Sequence, residues 1–119
     1  MDVLQQVRDQ AEKGGVRLST LRHGTKILVE TLNSFYELTV SGSKAKLFGG
    51  TCADGTTRFP QEVDAFVVGS TWGGSVVMTD WIGIGMHVEV AMSDLSSGIV
   101  TSPVRSITIE EADWSYKIV

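Results

Sequence analysis

Side-chain branching limits this chain more than any other feature: 33 of its 119 residues are Val, Ile or Thr, against 14 Ala and Leu together. A branched Cβ is restricted against the preceding turn of a helix and packs well on a pleated surface, so such a chain favours strands. Period-two patterning then places them. Thr25 to Leu32 and Ser34 to Val40 read as strands, the second with Tyr36, Leu38 and Val40 alternating with Phe35, Glu37 and Thr39. A Ser41-Gly42-Ser43 turn leads into Lys44 to Phe48, completing a hairpin, and residues 49–61 read as a loop around an Asp54-Gly55 turn. Glu62 to Ser70 is apolar on both faces and is expected to be a central strand covered from two sides. After a Gly73-Gly74 turn come a short strand at Ser75 to Thr79 and a longer one at Ile84 to Met92, with Met86, Val88 and Val90 inward and His87 and Glu89 outward. Ser93 to Gly98 is a polar turn. Ile99 to Ile109 is a final strand that Pro103 marks as an edge or a bulge.

Only the N-terminus reads as a helix. Over residues 2–13, Asp2 is a cap, Val3, Leu4, Val7 and Ala11 form one apolar stripe, and Gly14-Gly15 ends the segment. The expectation is mainly β: one domain over residues 1–119, with a short helix at 2–13 and a small antiparallel β-barrel or sandwich over 16–110. Such a sheet, if it does not close, leaves edges on which a second copy can pair into a homo-oligomer.

Composition narrows the function classes. No apolar run approaches the roughly 18 residues that span a bilayer, and the first fifteen residues are too polar for a secretory leader, so a cytoplasmic address without membrane association is expected. The single cysteine, Cys52, has no disulfide partner, and with His23 and His87 it does not make a zinc set, so neither a metal nor another cofactor is expected. The net charge is −4, split as +2 over residues 1–58 and −6 over 59–119. A chain with ten Lys and Arg lacks the broad positive surface that displaces counterions from phosphates, which argues against nucleic acid. One stretch is an exception. Lys13, Arg17, Arg22 and Lys26, with His23 among them and no carboxylate between, are suited either to a small anion or to a solvated face that pairs with the acidic half.

The segment from Gly69 to Gly85 holds five of the thirteen glycines and two of the three tryptophans. Glycine permits close backbone approach and an indole offers a flat apolar face, so Trp72, Gly73, Gly74 and Trp81 are candidate ligand-binding residues. The same residues would also serve as bulges and core ends in a barrel. Gly73-Gly74-Ser75 lacks the lysine of a phosphate loop. His87 and Glu89 share a strand face and form a candidate acid–base pair, while nothing flanking Cys52 marks it as a nucleophile.

Two resemblances add expectations. Arg17 and Arg22 together with Asp94-Leu95-Ser96-Ser97-Gly98 resemble the cyclic-dinucleotide site of PilZ domains, where paired arginines precede a D-x-S-x-x-G stretch on a small barrel. That resemblance implies a sensor holding an anionic nucleotide with Arg17, Arg22 and His23. The chain departs from the pattern in the longer arginine spacing, the shorter Asp-to-Gly spacing and the long interval between the two parts. Separately, G-S-x-x-G-G-S at 69–75, W-I-G-x-G-x-x-V-E at 81–89 and T-S-P-V-R-S-I at 101–107 resemble a group of short bacterial proteins that carry no assigned activity. This implies a bacterial domain and transfers no catalytic residue. Within the third motif, Ser102 and Pro103 break the ladder and bring Arg105 out beside the Gly-Trp segment.

The leading expectation is a non-enzymatic binding module in which Trp72, Gly73, Gly74, Trp81 and Arg105 meet a protein or a small ligand. The nucleotide sensor using Arg17 and Arg22 is the second reading, and a hydrolase using His87 with Glu89 or Asp80 is the third.

Overall fold

The computed structural model describes residues 3–94 and 98–119. The expected Asp2 cap, and Leu95, Ser96 and Ser97 of the Asp94–Gly98 stretch, lie outside the described residues. One helix, α1 (Val3–Ala11), is followed by β1 (Gly15–Arg17), a single 3-10 turn at Leu18–Thr20, and ten further strands. These are β2 (Thr25–Thr31), β3 (Ser34–Ser41), β4 (Lys44–Cys52), β5 (Thr57–Thr71), β6 (Met78–Thr79), β7 (Trp81–Gly83), β8 (His87–Met92), β9 (Ile99–Val100), β10 (Val104–Glu110) and β11 (Ser115–Ile118). The fold is mainly β with a short N-terminal helix, as the branched-residue content requires. Among the described residues no helix is long and apolar enough to cross a membrane.

Nine strands form one sheet in the order β11-β10-β2-β3-β4-β5-β8-β9, with β6 beside β5, and every pairing in it is antiparallel. The ladder does not close into a barrel; β11 and β9 are its ends and the architecture is sandwich-like. Isolated hydrogen bonds span the gap. Thr101 N donates to Val88 O at 2.9 Å and Val104 N to Met86 O at 2.9 Å, while Leu32 N donates to Pro103 O at 2.9 Å. Residues 101–104 thus lie between β8 and β2, and Pro103, which has no N–H to offer a ladder, stands where the chain leaves β9 for β10. The single long strand expected over 99–109 is therefore two strands on different parts of the sheet.

The interior is filled by alternate residues. Val29, Tyr36, Leu38 and Leu47 from β2 to β4 face Val88, Val90 and Ile99 from β8 and β9, and the void among them is only about 10 Å³. That is about the least volume that holds a water molecule, so these strands pack without room for a ligand between them. Val7 of α1 is fully buried, with Leu4 and Ala11 half-buried, and the helix is docked by that stripe. Gly14, at φ 79°, ends it in the left-handed region.

Several expected boundaries shift for physical reasons. Residues 49–61 are mostly strand, and only the turn between Cys52 and Thr57 is loop. Gly49 and Gly50, at φ 100° and 68°, accompany register shifts in β4, and Pro60 falls where the β4–β5 register slips between Gly49↔Phe59 and Leu47↔Val63. Bulges absorb residues that sequence patterning treats as breakers. β5 is central, between β4 and β8, yet Phe66 on its outer face is 38% exposed, so the strand is covered from one side there. The strand expected at 75–79 shortens to Met78–Thr79, and the one expected from Ile84 begins at His87, after a turn. β11 falls beyond the expected β region. It pairs with β10 and buries Ile118 against the core.

The β4–β5 turn yields a pH prediction. The Asp54 carboxylate accepts from Thr56 N at 2.9 Å, and hydrogen bonds from the Thr56 backbone and then its hydroxyl hold the Asp54 pKa below its ordinary 3.8. A carboxyl depressed in the folded state adds stability above its unfolded pKa and loses it as pH falls through the folded value. The urea midpoint of Asp54→Ala should therefore lie below that of the wild type at neutral pH, and the gap should shrink on acidification below 3.8. Urea titrations of both proteins across that range check it.

Candidate functional site

β1 and β7 form a two-stranded antiparallel ribbon apart from the main sheet, in the register Gly15↔Gly83, Val16↔Ile82 and Arg17↔Trp81. Directly opposed residues share a face, so Arg17 and Trp81 lie on the same side as the two glycines. The Trp81 indole lies across that bare backbone: a Cβ on Gly15 would meet Trp81 Cζ2 at 2.4 Å, and one on Gly83 would meet Trp81 Nε1 at 2.6 Å. The Arg17 guanidinium sits 5.4 Å from the Trp81 ring centroid, a cation–π contact. Trp81 is consequently 7% exposed.

Ser70 fixes the ribbon to the main sheet. Fully buried at the end of β5, it donates its hydroxyl to Trp81 O at 2.7 Å and accepts from Gly83 N at 3.3 Å. Asp80 fixes the other end. Among the described residues it is the non-glycine residue with positive φ, at 58°, and its carboxylate accepts from Ser19 N at 2.9 Å and Ser19 Oγ at 2.5 Å. Aspartate tolerates the left-handed region better than bulkier residues, and here the strained turn aims its side chain at the 3-10 turn. Arg17 reaches the same carboxylate at a longer 4.0 Å.

Trp72 comes from the loop after β5. Thr71 Oγ1 accepts from Gly73 N and donates to Gly74 O, each at 3.2 Å, which folds Thr71 to Gly74 into a tight turn. Gly73 takes φ 106°, and a Cβ there would stand 4.0 Å from His87 Nε2, so the turn lies against the His87 ring. The Trp72 ring covers Gly85, whose Cβ would sit 3.2 Å from Trp72 Cζ3, and the residue is still 70% exposed. Between the two indoles opens a cleft of about 340 Å³, lined by Lys13, Gly14, Arg17, Trp72, Met78, Trp81, Ile84 and Met86.

The structure thus brings together Trp72, Trp81 and Arg17, with Gly73 and Gly74 shaping the loop. It separates the others. Arg22 is exposed beyond the 3-10 turn, where its carbonyl accepts from Thr25 N and Thr25 Oγ1. Arg105 lines a different, shallow cleft with Glu30, Leu32, Phe35 and Cys52. Lys26 pairs with Glu37 at 2.8 Å, which raises the Lys26 pKa through that hydrogen bond and charge. Lys13 and Met78 are site residues that sequence patterning did not single out as such, although Lys13 opens the basic stretch.

His87 is half-buried on the outer face of β8, and its Nδ1 lies 2.7 Å from Thr101 O. A carbonyl only accepts, so Nδ1–H is the donor of this hydrogen bond. Its hydrogen bond runs to the backbone rather than to Glu89 or Asp80. Among the described residues no group of three or more His, Cys, Asp or Glu is placed to hold a metal. A larger recess, of about 700 Å³, includes Arg58, Phe59, Asp64, Met92 and Ile99; Arg58 stacks over Phe59 at 5.5 Å and Asp64 pairs with Lys46.

The chain matches no protein-family model, and comparison with curated proteins and with solved structures gives no match.

Proposed function

We propose that this chain is a binding module, not an enzyme, and that its contact face is the cleft between Trp72 and Trp81. The observation that carries the reading is the position of Trp72: a large indole, 70% exposed, held by a hydrogen-bonded turn and lining the cleft with Met78, itself 45% exposed. An apolar patch presented this way, next to a preformed cleft, is what contact surfaces use. The arrangement of reactive side chains supports binding over catalysis. His87 is committed to Thr101 O, Asp80 to Ser19, and Cys52 lines another cleft, so these groups do not converge on one reacting atom.

The neutral dye N-phenyl-1-naphthylamine, whose emission rises in apolar clefts, tests the reading. It should bind the wild-type protein and lose about tenfold or more in affinity to Trp72→Ala, a change at an exposed side chain that leaves the far-ultraviolet circular dichroism unchanged. Equal binding to both proteins would remove the cleft as the contact face.

A further inference from the structure

We infer that the cleft takes a small, flat aromatic molecule carrying an acidic group, an inference that rests on the binding face proposed above and adds the chemistry of its occupant. Size is the first argument. About 340 Å³ falls at the lower end of the range for small-molecule sites, roughly 300–1,000 Å³, and accommodates one fused ring system. Stacking is the second. One side of the Trp72 ring is backed by Gly85 while the residue remains 70% exposed, so the indole offers a free face to a planar ring.

Charge decides the third point. Lys13 and Arg17 both line the cleft, and the acid that meets Arg17, Asp80, does so only at 4.0 Å. The Asp80 oxygens already take hydrogen bonds from Ser19 N and Ser19 Oγ, so the carboxylate is held back against the 3-10 turn. Two cations therefore flank an apolar cleft in a chain whose net charge is −4. Low-dielectric walls focus such a local field, and an anionic group on a ring stacked against Trp72 would lie within reach of both. A neutral ring would leave that field unused.

Naphthalene-2-sulfonate and 2-naphthol, matched in ring system and differing in charge, separate the two layers of the argument. Titrated against the whole protein at low salt, the sulfonate should bind about tenfold more tightly than the naphthol. Lys13→Ala combined with Arg17→Ala should abolish that preference, and Trp72→Ala should weaken both probes. Equal affinity of the two probes for the wild type, with both still dependent on Trp72, would overturn the anionic occupant and leave the contact face standing. Binding of either probe that ignores Trp72→Ala would overturn both. Because Arg17 also packs on Trp81, Lys13→Ala alone is the second variant: it should lower the sulfonate preference, and an unchanged preference would contradict the charge argument.

Discussion

Replacing Ile107 by alanine should destabilise the fold by about 2–5 kcal/mol, a large share of the 5–15 kcal/mol typical of a domain. Ile107 is fully buried in β10, opposite Val29 of β2 on one side and Ile118 of β11 on the other. It sits where the edge strand, the strand beside it and the first hairpin meet, and the interior around it is already filled. A cavity there removes transfer free energy and contacts that rigid neighbours on three strands cannot restore by collapse. Ile107→Val, which removes one methylene, should cost about 0.5–1.5 kcal/mol and serves as the graded control. Urea denaturation of the three proteins reads the effect. A cost below about 1 kcal/mol for the alanine variant would show that β11 does not seal the core as described.

Gly15→Ala should also be costly, but locally. The added Cβ would stand 2.4 Å from Trp81 Cζ2 and 2.5 Å from Ile82 O. The ring could rotate away, but the carbonyl is backbone in the paired strand, so β1 must withdraw from β7. Overpacking of this kind costs about 1–3 kcal/mol. Because the ribbon is hydrogen-bonded apart from the nine-stranded sheet, although its Val16 and Ile82 reach the core, the damage should fall first on the site. Trp81 should become accessible to acrylamide, and naphthalene-2-sulfonate should bind at least tenfold more weakly, while the far-ultraviolet spectrum stays β-like. Gly74→Ala is the control. Nothing lies within 4 Å of a Cβ there, so it should change stability by less than about 0.5 kcal/mol.

The strands with clean alternation were legible from sequence because one face of each is buried: Tyr36, Leu38 and Val40 in β3, and Val88 and Val90 in β8, all point inward. What sequence patterning misplaced depends on long-range partners. Gly49, Gly50 and Pro60 resemble loop residues until the β4–β5 bulges give them a place. β11 is only four residues long and becomes a strand by pairing with β10. At the site, the aromatic and glycine-rich segment was legible as a contact candidate, yet which indole is covered was not. That depends on Gly15 and Arg17, which the register of β1 with β7 brings across from the other end of the chain. The same folding separates Arg105 and Arg22 from the indoles, although Arg105 lies near them in sequence pattern. Charge in sequence gave a basic stretch; only the fold divides it, sending Lys26 to Glu37 and leaving Lys13 and Arg17 at the cleft.

The chain has three tryptophans, and their indole N–H signals report the proposed site directly. In a nitrogen-15 correlation spectrum recorded during titration with naphthalene-2-sulfonate, the Trp72 and Trp81 signals should shift together and saturably. Trp114, which packs against the core and does not line the cleft, should stay in place. Movement of Trp114 with Trp72 and Trp81 unmoved, or no saturable shift of any indole, would contradict the account.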